Sequence, residues 1–249
     1  MTRPGLYLQP RDHAILNHQR FGPVPQSSIF NTFFNTANAN IKTRWGTMTR
    51  RLKMLENGGL VKRLTSPDWK ETIYVLTQDG ALKVAARHGY DINNVFYNVN
   101  PKNIEHDLIV SAVARKIKKE ATQQKHYKLA NIQLECAQRS AIKQQKGAYF
   151  SDLKVNLIGP TALNEFDIEV DRGTVSRRDI IGKILFFSGT VLVVTNTKLR
   201  LALILRYMEF ENIEEKVYVI TMEEFFKNAL VDCQWHTNRS DNLEKLSLI

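Results

Sequence analysis

A chain of 249 residues with 43% hydrophobic and 24% charged content can bury one large core or two modest ones. No run of eighteen uncharged apolar residues occurs, so membrane insertion is not expected. The opening MTRPGLYLQPRDHAIL lacks the continuous apolar stretch of a secretory signal. Two cysteines, Cys136 and Cys233, exclude a disulfide framework and a cysteine-rich zinc site, and a cytoplasmic setting is expected. The net charge of +10 is unevenly spread, because residues 209–249 hold nine acids against four Lys/Arg, a local −5 that leaves +15 on residues 1–208. A basic body of this kind suits a polyanion, nucleic acid foremost. Solubilising surface charge is the plainer alternative.

In chain order, Pro10 followed by RDHAILNHQR marks a helix start, with Ile15 and Leu16 placed to face a core. After the breaker FGPVPQ, residues 27–34 form a second short helix with Ser27 or Ser28 as its cap. The stretch NTANAN leads into a third helix over 41–57, stopped by Gly58-Gly59. Residues 60–64 and 72–76 make two strands joined by TSPDW, and Thr77-Gln78-Asp79-Gly80 opens another helix. Three helices and a hairpin are the order of a winged helix-turn-helix. The third helix carries Lys42, Arg44, Arg50, Arg51 and Lys53 with no acid before Glu56, and the wing adds Lys62 and Arg63. Such a helix suits the major groove of DNA, where Arg and Lys meet phosphates and guanine edges. The same basic residues equally suit a solvated face whose Trp45, Met48, Leu52 and Leu55 pack inward, or a protein–protein module.

Periodicity is lost over the Asn-rich residues 88–103, which sets the expected domains at 1–98 and 99–231, with a C-terminal tail over 232–249. A long helix follows from Glu105, then strands over 127–135, 149–158 and 165–170. A helix capped by Thr174 or Ser176 runs to Phe187, and Ser176 with Asp179 has capping-box spacing. A strand over 190–195, a helix over 199–208, a strand over 217–220 and a helix over 222–230 complete the pattern. The expected fold is α+β, a winged helix-turn-helix followed by a second domain on a central mixed sheet. That element order resembles the restriction-endonuclease-like, PD-(D/E)xK, core.

In NEFDIEVDRGT, Phe166, Ile168 and Val170 alternate with Asp167, Glu169 and Asp171, so strand period puts three acids on one face about 6–7 Å apart. Each neighbouring pair repels by about 2–3 kcal/mol at an effective dielectric of 20. Either that face is wet, or something cationic sits on it. Asp152 can lie opposite on the preceding strand, with Lys143, Lys146 and Lys154 nearby. Carboxylates on adjacent strands are what Mg²⁺ or Mn²⁺ sites require, because these hard cations take oxygen ligands and leave positions for phosphate. Lys183 on the following helix supplies a candidate positive charge, whereas Arg172 alternates away unless the chain turns at Gly173. The six histidines form no His-x-His pair, and no Gly-rich nucleotide loop occurs.

The segments LQPRDHAIL, TRRLKMLENGGLVKR, YVLTQDGALKVA, EHDLIVSAV, SDLKVNL and FDIEVDRGTVSRRDIIGKI resemble the replication-relaxation proteins, and more closely the MobC-type plasmid relaxases among them. The resemblance spans about residues 8–190 and implies a relaxase related to restriction endonucleases. Such an enzyme recognises double-stranded plasmid DNA at a transfer origin and nicks one strand with Mg²⁺ or Mn²⁺ to begin conjugative mobilization. An accessory mobilization or coupling protein is an expected partner. The implied metal-binding and catalytic acids fall on Asp152, Glu169 and Asp171, with Lys183 as a further catalytic residue. Asp171 stands where the endonuclease pattern has a lysine, so Lys183 replaces it from the helix or the site works with acids alone. A non-enzymatic winged-helix DNA-binding regulator or replication accessory protein with a degenerate nuclease domain is the alternative, and a double-strand endonuclease a third.

Overall fold

The structure is a computed structural model that describes residues 7–35, 40–65, 69–123, 127–141, 148–159, 162–187, 189–213, 217–238 and 243–246. Lys143 and Lys146, parts of the TSPDW turn and parts of NTANAN lie outside the described residues. The chain divides into two compact units, 1–112 and 113–249.

Unit 1 begins with helix α1 (Pro10–His18), set by Pro10 in its first turn and by the reciprocal pair Gln9–Asp12 at its start. Strand β1 (Val24–Pro25) and helix α2 (Gln26–Phe33) follow. The cap of α2 is Pro25, not Ser27 or Ser28, because the Ser27 amide and hydroxyl both donate to Glu71, at 2.9 Å each. Helix α3 (Ile41–Asn57) starts at Asn40, whose side chain accepts from the Lys42 amide, and stops at Gly58. Strands β2 (Val61–Leu64) and β3 (Ile73–Leu76) form the antiparallel hairpin, and β1 adds to the other edge of β3. Helix α4 (Gln78–His88) is capped by Thr77 and ended by left-handed Gly89. Ile15, Leu16, Met48, Leu52, Leu55 and Leu76 are fully buried in the shared core.

Trp45 departs from the expected inward stripe: it is 39% exposed and rests against Phe30 with ring centroids 5.0 Å apart. The Asn-rich stretch also belongs to this unit and is not a boundary at 98/99. Val95 is buried in the same core, Tyr90, Ile92 and Tyr97 pack on it, and the Phe96 amide donates to the Arg20 carbonyl at 2.8 Å. The division falls instead within helix α5 (Ile104–Gln123).

Unit 2 is built on a six-stranded mixed sheet. Strand β4 (Lys128–Leu134) runs directly into helix α6 (Glu135–Ala141), which the sequence pattern did not reveal. Strands β5 (Leu153–Ile158) and β6 (Leu163–Asp171) continue an antiparallel meander. Helix α7 (Arg177–Phe186), capped by Ser176 with Asp179, crosses to strand β7 (Thr190–Thr195), parallel to β6. Helix α8 (Lys198–Phe210) crosses to strand β8 (Val217–Thr221), again parallel, and the short helix α9 (Met222–Lys227) follows. The order across the sheet is β4-β5-β6-β7-β8-β9.

The last strand corrects the expectation of a separate tail. Strand β9 (His236–Thr237) pairs antiparallel with β8, Trp235 and Cys233 are fully buried, and Trp235 bridges to Glu244 through two backbone hydrogen bonds of 2.8 Å. One face of the sheet packs Val191, Val193, Val217 and Val219 against Ile180, Ile184, Leu201 and Ile204 of α7 and α8. The other sets Ile168, Leu192 and Val194 with Ile117 of α5, Phe225 of α9 and Trp235. Covered on both faces, β6 is buried from Phe166 to Asp171, so its alternating acids are interior residues.

Candidate active site

Asp167, Glu169 and Asp171 share the face of β6 that the register aligns with Val191, Val193 and Thr195 of β7. All three are buried, with exposures of 4%, 1% and 0%, which overturns the wet acidic face as an explanation. Interior carboxylates persist only when hydrogen-bonded or paired with cations. Each of these has a different partner.

Asp152 stands immediately before β5 and is buried. Leu153 is level with Ile168, so Asp152 reaches the ladder just past its end. Its Oδ2 accepts from the Val170 amide at 2.7 Å, extending the β5–β6 pairing by one side-chain bond. Glu169 is ion-paired through Oε1 to Nζ of Lys183, which arrives on α7. Burial pulls the Lys183 ammonium down, but Glu169, Asp152 and Glu135 outweigh it and hold its pKa above the ordinary lysine value. Paired with these acids, Lys183 is held in its charged form. Asp152, Glu169 and Lys183 are the predicted residues that the fold brings together.

Asp171 goes elsewhere. Its Oδ2 pairs with Nε of Arg200 on α8, and its Oδ1 accepts from the Gly173 amide at 3.0 Å. The Arg200 guanidinium also donates to the Val175 carbonyl at 2.7 Å. Gly173, at φ +84°, makes the turn that ends β6 there. The expected metal ligand is thus held as a strut between the end of β6 and the start of α8. Asp167 Oδ1 accepts from Ser151 Oγ at 2.9 Å, while Gln138 Nε2 on α6 donates to the Ser151 carbonyl at 3.0 Å. Lys154 lies opposite Asp167 in the register.

Among the described residues no group of three or more His, Cys, Asp or Glu side chains is placed as a ligand set. The donor chemistry of Asp152 and Glu169 fits a hard divalent ion that keeps several waters and binds through one or two carboxylates plus phosphate. Asp171, with both oxygens engaged, does not join them. Arg200, Glu135, Ser151 and Gln138 were not legible as site residues, since each acts across at least 13 positions of sequence. Tyr149, also half-buried, sets its hydroxyl where a Cβ on Gly182 would come within 2.8 Å, one position from Lys183.

The basic residues of unit 1 separate in the same manner. Lys42, Arg50 and Lys53 are exposed on α3, as are Lys62 and Arg63 on β2. Arg51 is instead ion-paired to Asp12 of α1, which is fully buried, and that hydrogen bond raises the Arg51 pKa. Arg44 is half-buried and donates to the Phe34 carbonyl at 3.4 Å. These two contacts tie α3 to its neighbours, so Arg44 and Arg51 are less open than Lys42, Arg50 and Lys53.

The family model described as replication-relaxation matches residues 26–186, well over half of the chain. The chain belongs to the replication-relaxation family. The family match takes in α2, α3, the β2–β3 hairpin, the meander and α7, so Asp152, Glu169 and Lys183 all fall inside it, while Arg200 and β9 lie beyond. No curated protein sequence matches this member at a significant level. Among solved structures, the restriction endonuclease FokI bound to DNA is similar at 12% identity, over 87% of this chain and 43% of that one, with a TM-score of 0.22. A likeness of that score carries no argument, and the chain spans less than half of that protein's length.

Proposed function

We propose that this replication-relaxation protein is a metal-dependent DNA nickase, a relaxase that cuts one strand at a plasmid transfer origin to start mobilization. The observation that carries the reading is the convergence of Asp152, Glu169 and Lys183 where β5 begins beside the buried end of β6. Two carboxylates at the ends of adjacent strands, with a lysine brought in from the next helix, have the composition of a restriction-endonuclease-like centre, and the antiparallel meander followed by parallel crossovers supports that fold for unit 2. Unit 1, with three helices and an antiparallel hairpin, supports a winged helix-turn-helix whose α3 faces DNA with Lys42, Arg50 and Lys53, and whose wing adds Lys62 and Arg63.

Asp152 and Glu169 would hold Mg²⁺ or Mn²⁺, which when bound supplies Lewis-acid polarisation of phosphate and an acidified water. The protein's own groups do the remaining work. The Val170 amide fixes the rotamer of Asp152, so its carboxylate is set before substrate arrives. Lys183 neutralises Glu169 in the absence of substrate and would offer its ammonium to the phosphate as negative charge builds on it. Double-stranded DNA docks through the basic surface of α3, which positions a phosphate without itself reacting. An accessory mobilization or coupling protein is part of this proposal.

The test is incubation of the full chain with a supercoiled plasmid carrying its own transfer origin, in Mn²⁺, in Mg²⁺ and in EDTA. The proposal expects metal-dependent open circles, lost in Asp152→Asn and Glu169→Gln, which still bind the origin. Linear product instead would point to a double-strand endonuclease. Binding with no cut in any metal would support the second reading, a DNA-binding regulator. The ion pairs already made by Glu169 and Asp171 are the observation that favours that reading.

A further inference from the structure

Helix α3 carries a glycine, Gly46, as its sixth residue of seventeen. It is exposed, and a Cβ built on it would meet no described atom within 4 Å. The fold of unit 1 therefore has no use for the missing side chain. Its presence costs about 1 kcal/mol relative to alanine in a helix interior. Other glycines show what a structural requirement looks like: a Cβ on Gly80 would fall 1.9 Å from the Leu60 carbonyl oxygen.

What surrounds Gly46 is cationic. On a helix its neighbours are the residues three and four positions away, here Lys42, Thr43, Thr49 and Arg50, and all four are exposed. Lys53 continues the same face one turn further on. The first acid of the helix is Glu56, in the last turn. The buried stripe of Met48, Leu52 and Leu55 lies on another side and leaves this one open. Bare backbone flanked by Lys42 and Arg50 has the shape and charge of a surface pressed against a polyanion.

Resting on the reading of α3 as the DNA-facing helix, we propose that Gly46 is a specificity-determining residue, the point of closest approach to the base edges of duplex DNA. The missing Cβ lets the helix axis sit deeper in the major groove. Lys42 and Arg50 are thereby brought to the groove walls and Thr49 to the floor. A side chain at position 46 acts as a spacer and lifts these contacts together. Phosphate attraction, being long-ranged, survives the lift better than base contact, so discrimination is lost before affinity.

The experiment uses the full chain and a random-core duplex pool, from which wild-type protein enriches its preferred duplexes. Affinity for the enriched duplexes and for the unselected pool is then measured at one salt concentration for Gly46→Ala, Gly46→Leu and Lys42→Ala/Arg50→Ala, together with the thermal midpoint of each. The expected result is that Gly46→Ala raises the midpoint by about 4 °C yet weakens binding to enriched duplexes about 5- to 100-fold. Gly46→Leu weakens it further, and both variants bind the unselected pool nearly as well as wild type. Should Gly46→Leu fail to fold, the alanine variant decides alone. Wild-type binding by the Gly46 variants, with Lys42→Ala/Arg50→Ala impaired, overturns the role of Gly46 and leaves α3 facing DNA. Unchanged binding by Lys42→Ala/Arg50→Ala, or no enrichment at all, overturns that reading and the role of Gly46 with it.

Discussion

Unit 1 buries the carboxylate of Asp12 and meets it with Arg51, a bidentate pair that clamps α3 against α1. Unit 2 buries Asp152, Asp167, Glu169 and Asp171 along two adjacent strand ends and gives each a different partner: a backbone amide, a serine hydroxyl, Lys183 and Arg200. A single interior acid facing a fork-shaped guanidinium is a fastening, and so is Asp171 against Arg200. Asp152 and Glu169 meet a backbone amide and an ammonium instead, neither of which has the fork geometry that matches a carboxylate edge to edge. The comparison separates two kinds of buried acid: Asp12 and Asp171 fasten helices through guanidinium groups, whereas Asp152 and Glu169 are the ones proposed to hold a metal ion.

The most severe way to break that separation is by activity. Asp152→Asn and Glu169→Gln should each lower metal-dependent nicking more than about 100-fold, because several kcal/mol of transition-state stabilisation are lost. Open-circle formation over time reads this, and survival of cutting in both variants would erase the distinction. Stability comes next. Arg51→Met strands the fully buried Asp12 and should cost unit 1 about 3–5 kcal/mol in urea unfolding, and Arg200→Met should cost unit 2 a similar amount by stranding Asp171. Replacing both Asp12 and Arg51 by leucine and methionine should recover most of the loss, which distinguishes a fastening from a site. The salt dependence of duplex binding follows: removing Lys42, Arg50 and Lys53 together should reduce the slope of log K against log salt by about 3. Arg51→Met should leave that slope unchanged, provided the unit folds.

The smallest effect lies at the margin of unit 2. Burial pushes the Cys233 thiol up to about 11, whereas Cys136 is exposed. A thiol reagent at pH 8 should modify Cys136 quickly and Cys233 only on unfolding. The stabilisation from a neutral Cys233 is complete below the ordinary thiol value and is lost as pH rises from there through about 11. Rapid labelling of both thiols in native protein would remove residues 233–237 from the core.

Two elements that local chemistry dictates were legible to the residue. Helix α3 at 41–57 is bounded by Asn40 and by Gly58, and β7 at 190–195 is a β-branched run between polar residues. The elements that distant pairing dictates were not. Helix α6 abuts β4 with no breaker between them, and the two residues of β9 owe their conformation to β8, some eighteen positions away. Within the site, strand period correctly put Asp167, Glu169 and Asp171 on one face, and Lys183 was reachable as the cation of the next helix. What period cannot supply is that Arg200, 29 residues beyond Asp171, claims that carboxylate. Trp45 has the spacing of Met48, Leu52 and Leu55, yet it sits in the first turns of α3, where the stripe emerges from the core.

The mixed pairing of the sheet has a consequence for how the chain folds. Strands β5 and β6 are joined by a short reversal, so Asp152 and Glu169 belong to the most local part of unit 2. Lys183 and Arg200 arrive only with the longer helical crossovers that close the parallel half. Local contacts form first and parallel closures late. The order expected on refolding is that the acids meet before their countercharges arrive. Their mutual repulsion belongs to the barrier, and added salt or divalent cation should speed the refolding of unit 2 more than it raises its final stability.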